Sequence, residues 1–211
     1  PLPAMDDLRA DASRVCDALR EQHGLDDVRP EVPALGELPA LLRRKKGLFR
    51  AAVLGDEIVA FLPVGVSPLG LAVDMGTTKL AAYLVDLETG ETLGAAGRMN
   101  PQIAYGEDVM ARISYAMKGP AEAKRLQEAF AEGLSGLARE LCEECGRRTT
   151  DILDAVLAGN TCMHHLALGL PVDQLGLAPY VAALSDGCSV KTGSLEWPIA
   201  PGASAFFLPN I

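Results

Sequence analysis

The chain has 211 residues, 49% of them hydrophobic, which is enough for one good-sized domain and a smaller one with a packed core. Its formal net charge is −9, from 19 Lys and Arg against 28 Asp and Glu, so it lacks the basic surface that nonspecific nucleic-acid binding requires. The sequence also contains no apolar run of about 18 residues, which argues against a membrane span and a membrane partner.

The start of the chain and its cysteines indicate a cytoplasmic protein. Residues 1–7 lack the basic and apolar regions of a secretory signal, and the five cysteines form an odd set without the spacing of a disulfide framework. Cys142 and Cys145 form a C-x2-C pair, but no second pair follows at metal-ligand spacing. Because the first residue is not methionine, we expect the sequence to be a piece of a longer chain.

The first third of the sequence predicts a small α/β domain. Its predicted elements are a helix over 5–23, an extended stretch over 25–33, a short helix over 35–42, and a hairpin with strands over 48–54 and 57–62. The basic run at 43–46 either docks an acidic partner or complements a helix C-terminus, and the second interpretation is simpler. A proline-rich linker follows, so we expect domains over 1–67 and 68–211 with a boundary near Ser67.

A predicted strand over 69–73 leads into a turn and then into a second strand over 80–85. We expect Gly76 to adopt backbone angles that a side chain would forbid, so that the amides of residues 75–78 converge on an anion. The turn does not open a helix and no Gly-Lys-Ser/Thr follows, which distinguishes it from the Gly-rich phosphate loop of P-loop proteins. The pattern predicts a phosphate site between two strands.

The side chains around this turn are of the types that bind Mg²⁺ and phosphate. Asp74, at the end of the strand, would hold Mg²⁺ through water, and the hydroxyls of Thr77 and Thr78 would donate to phosphoryl oxygens. Lys79 either neutralises phosphate charge or points away from the turn.

Beyond the turn, the periodicity predicts further strands and helices. The predicted elements are a strand over 91–98, helices over 107–117 and 121–145, a strand over 152–158, a helix over 161–168, a loop-rich stretch over 175–195 and a last strand over 205–208.

Three segments, in this order, resemble a known family. They are residues 70–78 (GLAVDMGTT), residues 100–102 (NPQ) with 105–113 (YGEDVMARI), and residues 159–166 (GNTCMHHL). Asp-x-Gly-Thr-Thr resembles the first phosphate motif of the actin, sugar-kinase and chaperone ATPase superfamily. Taken together, the three segments resemble the ATP-dependent reductive activators of corrinoid proteins, and the resemblance covers most of residues 48–211.

The resemblance implies an α/β fold: the first half of an actin-like, ribonuclease H-like ATPase domain preceded by a small α/β linker domain. It implies ATP and Mg²⁺ as cofactors, and a [2Fe-2S] cluster only in an N-terminal ferredoxin-like domain outside this chain. The implied partner is a corrinoid protein of a methyltransferase or demethylase system, returned from Co(II) to Co(I). In such proteins a second half supplies a second phosphate motif, so we expect this chain alone to be inactive and to bind ATP negligibly; whether the protein is a homodimer stays open.

Other candidate residues lie at the starts of predicted helices. Asp108, next to Glu107, either stabilises a helix dipole or, as the resemblance implies, lies beside the nucleotide and orients attacking water. Asn160 and Thr161 follow a predicted strand, where they either cap a helix or contact nucleotide and water. His164 and His165 are adjacent on a predicted helix and point about 100° apart, which does not favour a shared metal.

Two other functions stay open at this stage. A small-molecule kinase of the same superfamily would share the phosphate turn, although a kinase usually positions a carboxylate as its base. Alternatively, the chain is a docking module that binds the corrinoid partner without catalysis.

Overall fold

The computed structural model describes residues 5–44, 48–195 and 197–210, so residues 45–46 of the basic run lie outside the described residues. The helices, in chain order, are α1 (Asp11–His23), α2 (Val32–Leu35), α3 (Leu38–Arg44), α4 (Val109–Ala116), α5 (Pro120–Glu144), α6 (Thr161–Leu168) and α7 (Asp173–Gly176). The strands are β1 (Arg29–Pro30), β2 (Arg50–Leu54), β3 (Glu57–Leu62), β4 (Leu69–Met75), β5 (Lys79–Asp86), β6 (Thr92–Met99), β7 (Ile152–Gly159), β8 (Cys188–Lys191) and β9 (Ser204–Phe207). Short 3-10 helices cover Pro101–Tyr105, Thr149–Asp151 and Thr192–Leu195.

Within the described residues the strands form two sheets. The small sheet has the order β1-β3-β2, and the large sheet has the order β6-β5-β4-β7-β9-β8. In the large sheet β4, β7 and β9 are parallel, while β5, β6 and β8 pair antiparallel to their neighbours. The large sheet begins with three hairpin-connected strands, β4, β5 and β6, where three strands were predicted, and it continues with the parallel strands β7 and β9.

Alternating side chains along β4 determine which face of the large sheet is buried. Leu71, Val73 and Met75 are buried in the main core, whereas Ala72 and Asp74 are exposed on the opposite face. Helix α5 covers the buried face with an apolar stripe at helical spacing: Phe130, Leu134, Leu137 and Leu141. Each such side chain contributes about 1.5–3 kcal/mol when it is fully buried, so this contact fixes the sheet that carries the turn.

The small sheet packs directly on the large one. Val59 and Leu62 of β3 belong to the same buried cluster as β4, and Lys191 of β8 forms ion pairs with Glu31, at 3.2 Å, and with Glu57. The predicted boundary near Ser67 therefore separates two sheets that share apolar and charged contacts.

The N-terminal helices differ from their predictions. Helix α1 begins at Asp11 rather than at residue 5, and Leu8, which continued the apolar repeat, is 85% exposed. Before the helix, Asp7 accepts hydrogen bonds from Arg9 and Arg14, which hold the chain in a turn and keep the pKa of Asp7 well below its usual range. The predicted helix over 35–42 is in fact two helices, α2 and α3.

In the part of the chain that the structure describes, no helix combines the length and apolar character needed to cross a membrane.

Candidate functional site

The candidate site lies where the parallel strands end. The strands β4, β7 and β9 finish at Met75, Gly159 and Phe207, on the same edge of the large sheet. Open α/β sheets bind ligands in the crevice outside these carboxyl ends. The turn of residues 76–78, which we call the phosphate turn, leaves β4 at this edge.

Gly76 is required for space rather than for its backbone angles. A Cβ at this position would lie 2.3 Å from the carbonyl oxygen of Lys79, and Gly76 is not among the glycines with positive φ. The expectation of forbidden backbone angles was therefore wrong. The turn is so tight that the start of β5 passes directly over Gly76.

The inward side of the phosphate turn is held by its carbonyl groups. The Asn100 side chain donates from Nδ2 to the carbonyl oxygen of Gly76 at 2.9 Å, and the backbone N–H of Asn100 donates to that of Thr78 at 2.9 Å. Between them, Nη2 of Arg112 donates to the carbonyl oxygen of Thr77 at 2.5 Å. Three consecutive carbonyl oxygens of the turn, all in the described residues, thus accept hydrogen bonds from Asn100 and Arg112.

Gln102 connects these two residues, and we call Asn100, Gln102 and Arg112 the buried support. The Oε1 atom of Gln102 accepts hydrogen bonds from Arg112 at 3.2 Å and from Asn100 at 3.4 Å, while its Nε2 donates to the carbonyl oxygen of Leu126 at 2.8 Å. All three side chains are at most 1% exposed. Leaving a buried polar group without a partner costs about 1–3 kcal/mol, so the bonds of the buried support reinforce one another.

Arg112 enters this support from helix α4. Its Nε donates to the carbonyl oxygen of Gly106 at 3.0 Å, and its Nη1 lies 3.1 Å from the sulfur of Met163 on α6. Burial is the main cause that lowers the pKa of Arg112 from its ordinary value of 12.5. Arginine nevertheless stays charged in proteins, so a positive charge lies under the turn.

The outward side of the phosphate turn is open. Asp74, Thr78 and Lys79 are exposed, and Thr77 is half-buried. In the described residues no hydrogen bond uses the backbone N–H of Thr77 or Thr78, nor the carboxylate of Asp74. Because carbonyl and N–H groups point in opposite directions across a trans peptide, fixing the carbonyls inward directs these N–H groups outward.

The structure brings Asn160 to the turn. Its Nδ2 donates to the hydroxyl oxygen of Thr77 at 3.1 Å, while its Oδ1 accepts from the backbone N–H of Met163 at 3.0 Å and caps α6. The capping alternative is therefore observed together with a contact to the turn. Thr161 is half-buried beside it, and its carbonyl oxygen contacts Nδ1 of His165 at 2.7 Å.

Asp108 lies at the start of α4. It is exposed and caps α4, where its Oδ1 accepts from the backbone N–H of Ala111 at 2.7 Å. Among the described residues, no hydrogen bond joins Asp108 or Glu107 to the turn. The residue of this segment that does contact the turn is Arg112.

The two histidines have different environments. His165 accepts at Nε2 from the backbone N–H of Ala183 at 3.1 Å, whereas both ring nitrogens of buried His164 are without a hydrogen-bond partner in the described residues. His164 packs edge-on against Phe207 with 5.1 Å between ring centroids, and burial, followed by the proximity of His165, lowers its pKa. His164 is therefore a neutral core residue.

Two of the thiols are buried and unreactive. Burial raises the pKa of Cys142 and of Cys162 to about 11, which keeps both thiols protonated near neutral pH. Metal ligation and redox exchange need the thiolate form. The C-x2-C pair of Cys142 and Cys145 lies at the end of α5, and both of its thiols are free.

Asn100, Gln102 and Arg112 were part of the sequence segments but had no predicted role. The sequence clue to them was their polar character. Arg112 interrupts the apolar stripe of a short helix, and Asn100 and Gln102 flank a proline that ends a strand. A buried position for each would have required partners, but the sequence does not indicate that the partners are carbonyl groups of the turn.

The chain matches known proteins over its whole length. Residues 69–211 match the family described as the RACo middle region, and residues 1–65 match the RACo linker region. The corrinoid activation enzyme RamQ of Eubacterium limosum is 37% identical over 160 residues, which cover 74% of this chain and 27% of that protein. A solved structure of a reductive activator for corrinoid,iron-sulfur protein has a TM-score of 0.77 and 32% identity, covering 100% of this chain and 34% of that one.

The chain thus spans about a third or less of the length of these relatives. The matches confirm the predicted resemblance to reductive activators of corrinoid proteins and the predicted α/β fold, which is consistent with half of an actin-like domain. The chain belongs to the RACo family, of which it spans the linker and middle regions.

Proposed function

We propose that this chain is part of a longer ATP-dependent reductive activator of corrinoid proteins. One electron passes from a reduced [2Fe-2S] domain elsewhere in the longer protein to the Co(II) corrinoid of a partner protein, which becomes Co(I). Binding or hydrolysis of ATP drives the conformational change that allows this transfer. The partner serves a methyltransferase or demethylase system, and the reaction takes place in the cytoplasm.

The observation that carries the proposal is the two-sided phosphate turn. Its carbonyl groups are held inward, its Thr77 and Thr78 N–H groups are unpaired in the described structure, and the Asp74 carboxylate is free beside them. Unpaired backbone N–H groups that converge in a turn form an anion site, and a free carboxylate next to it fits a hydrated Mg²⁺. The names of the relatives support corrinoid activation, and the role of ATP is proposed from the turn.

The residues of the turn have separate proposed roles. Asp74 holds Mg²⁺ through water, and the metal supplies charge neutralisation when it is bound. Gly76 permits the tight turn and offers its backbone amide to the phosphate, Thr77 and Thr78 donate to phosphoryl oxygens, and Lys79 contributes positive charge at the rim.

Residues at the starts of α4 and α6 have the remaining proposed roles. Asn160, fixed by its contact with Thr77, orients a water near the terminal phosphate, and Thr161 donates to the nucleotide from the next position. Asp108 orients the same water from α4. An amide cannot accept a proton from that water, which suits a slow ATPase that acts as a switch.

The test uses the longer protein with its ferredoxin-like domain, its cognate corrinoid protein, a chemical reductant and Mg-ATP. We expect the visible absorbance of Co(II) to be replaced by that of Co(I) only when ATP is present. The test variant is Asp74→Asn, which preserves shape and removes the carboxylate, and we expect ATP no longer to bring about reduction to Co(I) in it. Glu91→Gln, at an exposed position on the loop before β6, is expected to behave as wild type.

Three results would contradict the proposal. Reduction at the same rate without ATP would remove the role of the phosphate turn, and a phosphorylated metabolite from a substrate panel would indicate a kinase instead. If the 211-residue chain alone retains the corrinoid protein in a pull-down but never affects its reduction as part of the longer protein, the chain is a docking module.

A further inference from the structure

The position of Arg112 has an electrostatic consequence. Its side chain is 0% exposed, and its guanidinium donates to the carbonyl oxygens of Thr77 and Gly106 and to Gln102. All of these acceptors are neutral. Within residues 5–44, 48–195 and 197–210, no ion pair joins Arg112 to a carboxylate. Buried charges in proteins are normally paired, because an unpaired one costs several kcal/mol.

The nearest carboxylate on the same helix does not fill this role. Asp108 is one turn away on α4 and its charge attracts Arg112 from beyond ion-pair distance. It is exposed to solvent, however, and its Oδ1 accepts the cap bond from Ala111. The hydrogen bonds of Arg112 thus satisfy its donors without neutralising its charge.

The bond from Arg112 to Thr77 connects this charge to the open side of the turn. The carbonyl oxygen of Thr77 and the N–H of Thr78 belong to one planar peptide and point in opposite directions. A cation at the carbonyl end polarises the peptide and strengthens the positive end at the N–H group. The N–H of Thr78 has no hydrogen bond in the described structure and faces the site proposed for the phosphate.

We propose that Arg112 is a positioning residue whose counterion is the bound phosphate, reached through the Thr77–Thr78 peptide. This inference rests on the proposed function, because it assigns the phosphate turn to a nucleotide. Asn100 supports the turn in the same manner but without charge, so Arg112 supplies electrostatic attraction and Asn100 supplies shape alone.

The experiment compares the affinities of the longer protein for Mg-ATP, Mg-ADP and adenosine, measured by calorimetry or by competition with a fluorescent nucleotide. Arg112→Met is expected to weaken ATP binding on the order of 10- to 50-fold, because the variant loses a partly screened Coulomb attraction to the phosphate. The loss is expected to be smaller for ADP and absent for adenosine. Arg112→Lys keeps the charge and is expected to recover most of the affinity for ATP.

Gln102→Leu is the matched control, since it breaks a neutral bond of the same buried support. We expect it to lower stability and to change the three affinities by the same factor. If Arg112→Met also lowers all three equally, or if Arg112→Lys loses as much ATP affinity as Arg112→Met, the role of the charge is overturned. Should Arg112→Met fail to fold, the ratio of ATP to adenosine affinity in Arg112→Lys decides: a wild-type ratio supports the proposal, and a collapsed ratio overturns it.

The outcomes also separate this inference from the proposed function. A wild type that binds ATP but does not reduce the corrinoid protein contradicts the function and leaves the Arg112 test valid. A wild type that reduces it, with Arg112→Met retaining full ATP affinity, contradicts only the role of Arg112. A wild type that binds no nucleotide contradicts both.

Discussion

The inward and outward sides of the phosphate turn are built from different kinds of contact. On the inward side, buried Asn100 and Arg112 hold the carbonyl groups of residues 76–78. On the outward side, Asp74 and the N–H groups of the turn face solvent without protein partners in the described structure. The difference shows how a short exposed loop is fixed in shape before any ligand binds. Buried hydrogen bonds hold its backbone, and its exposed polar groups stay available for a ligand.

Substitution of Gly76 should produce the largest effect, because it disturbs both sides. In Gly76→Ala the new Cβ would lie 2.3 Å from the carbonyl oxygen of Lys79, a backbone atom that cannot move away easily. We expect a loss of about 3 kcal/mol or more in the free energy of unfolding, measured by urea denaturation. Gly97→Ala is the matched control in the neighbouring strand, where the Cβ would lie 3.5 Å from the carbonyl oxygen of Leu80. Equal stability of the two variants would contradict the account.

A change confined to the inward side should have the next largest effect. Asn100→Ala leaves the carbonyl oxygen of Gly76 and the N–H of Gln102 without their buried partners, so we expect a loss of about 2 kcal/mol in unfolding free energy. Gln127→Ala removes a 3.5 Å hydrogen bond to Ala167 and should cost about 0.5 kcal/mol or less. If both variants unfold at the same urea concentration, the buried support does not stabilise the turn.

Asn160 both contacts Thr77 and caps α6, and two variants separate these two roles. Asn160→Ala removes the cap of α6 and should cost about 1 kcal/mol of unfolding free energy. Asn160→Asp keeps an acceptor for Met163 but loses the donor to Thr77, so it should keep the stability and lose ATP hydrolysis. Thermal unfolding and phosphate release measure the two effects. Wild-type hydrolysis in Asn160→Asp would show that the contact with Thr77 has no catalytic consequence.

Asp74 should have the smallest effect on folding, because its carboxylate has no partner in the described structure. Asp74→Asn is expected to change the unfolding free energy by less than about 0.5 kcal/mol. Its effect should appear in Mg²⁺ dependence: the Mg²⁺ concentration for half-maximal ATP hydrolysis should rise, or hydrolysis should be lost. A stable variant with an unchanged Mg²⁺ dependence would contradict the metal role.

The residues on the outward side could be predicted from the sequence, whereas the contacts on the inward side could not. The alternation from Leu69 onward and the Asp-x-Gly-Thr-Thr turn are local features, and the strands β4 and β5 lie within two residues of their predicted bounds. Arg112 reaches Thr77 across 35 residues of sequence, and Asn100 reaches Gly76 across 24. Such contacts are set by how α4 and the 3-10 helix pack on the sheet, which local periodicity does not encode.

The same limit explains the errors elsewhere in the fold. The apolar repeat extended α1 back to residue 5, but tertiary burial decides where a marginal helix begins, and Leu8 is exposed. Gly76 was recognised as necessary for a reason that local sequence allows, its backbone freedom. The actual reason, the approach of Lys79, is visible only in three dimensions.

The central claim is that the outward N–H groups of the turn bind a phosphate. The most direct measurement is a titration of the longer protein, labelled with ¹⁵N at threonine and glycine, with Mg-ATP, followed by the amide resonances of Thr77 and Thr78. We expect large, saturable downfield shifts at these two amides and none at Gly97 in the same sheet. Unchanged resonances of Thr77 and Thr78, at ATP concentrations that support corrinoid reduction, would contradict it.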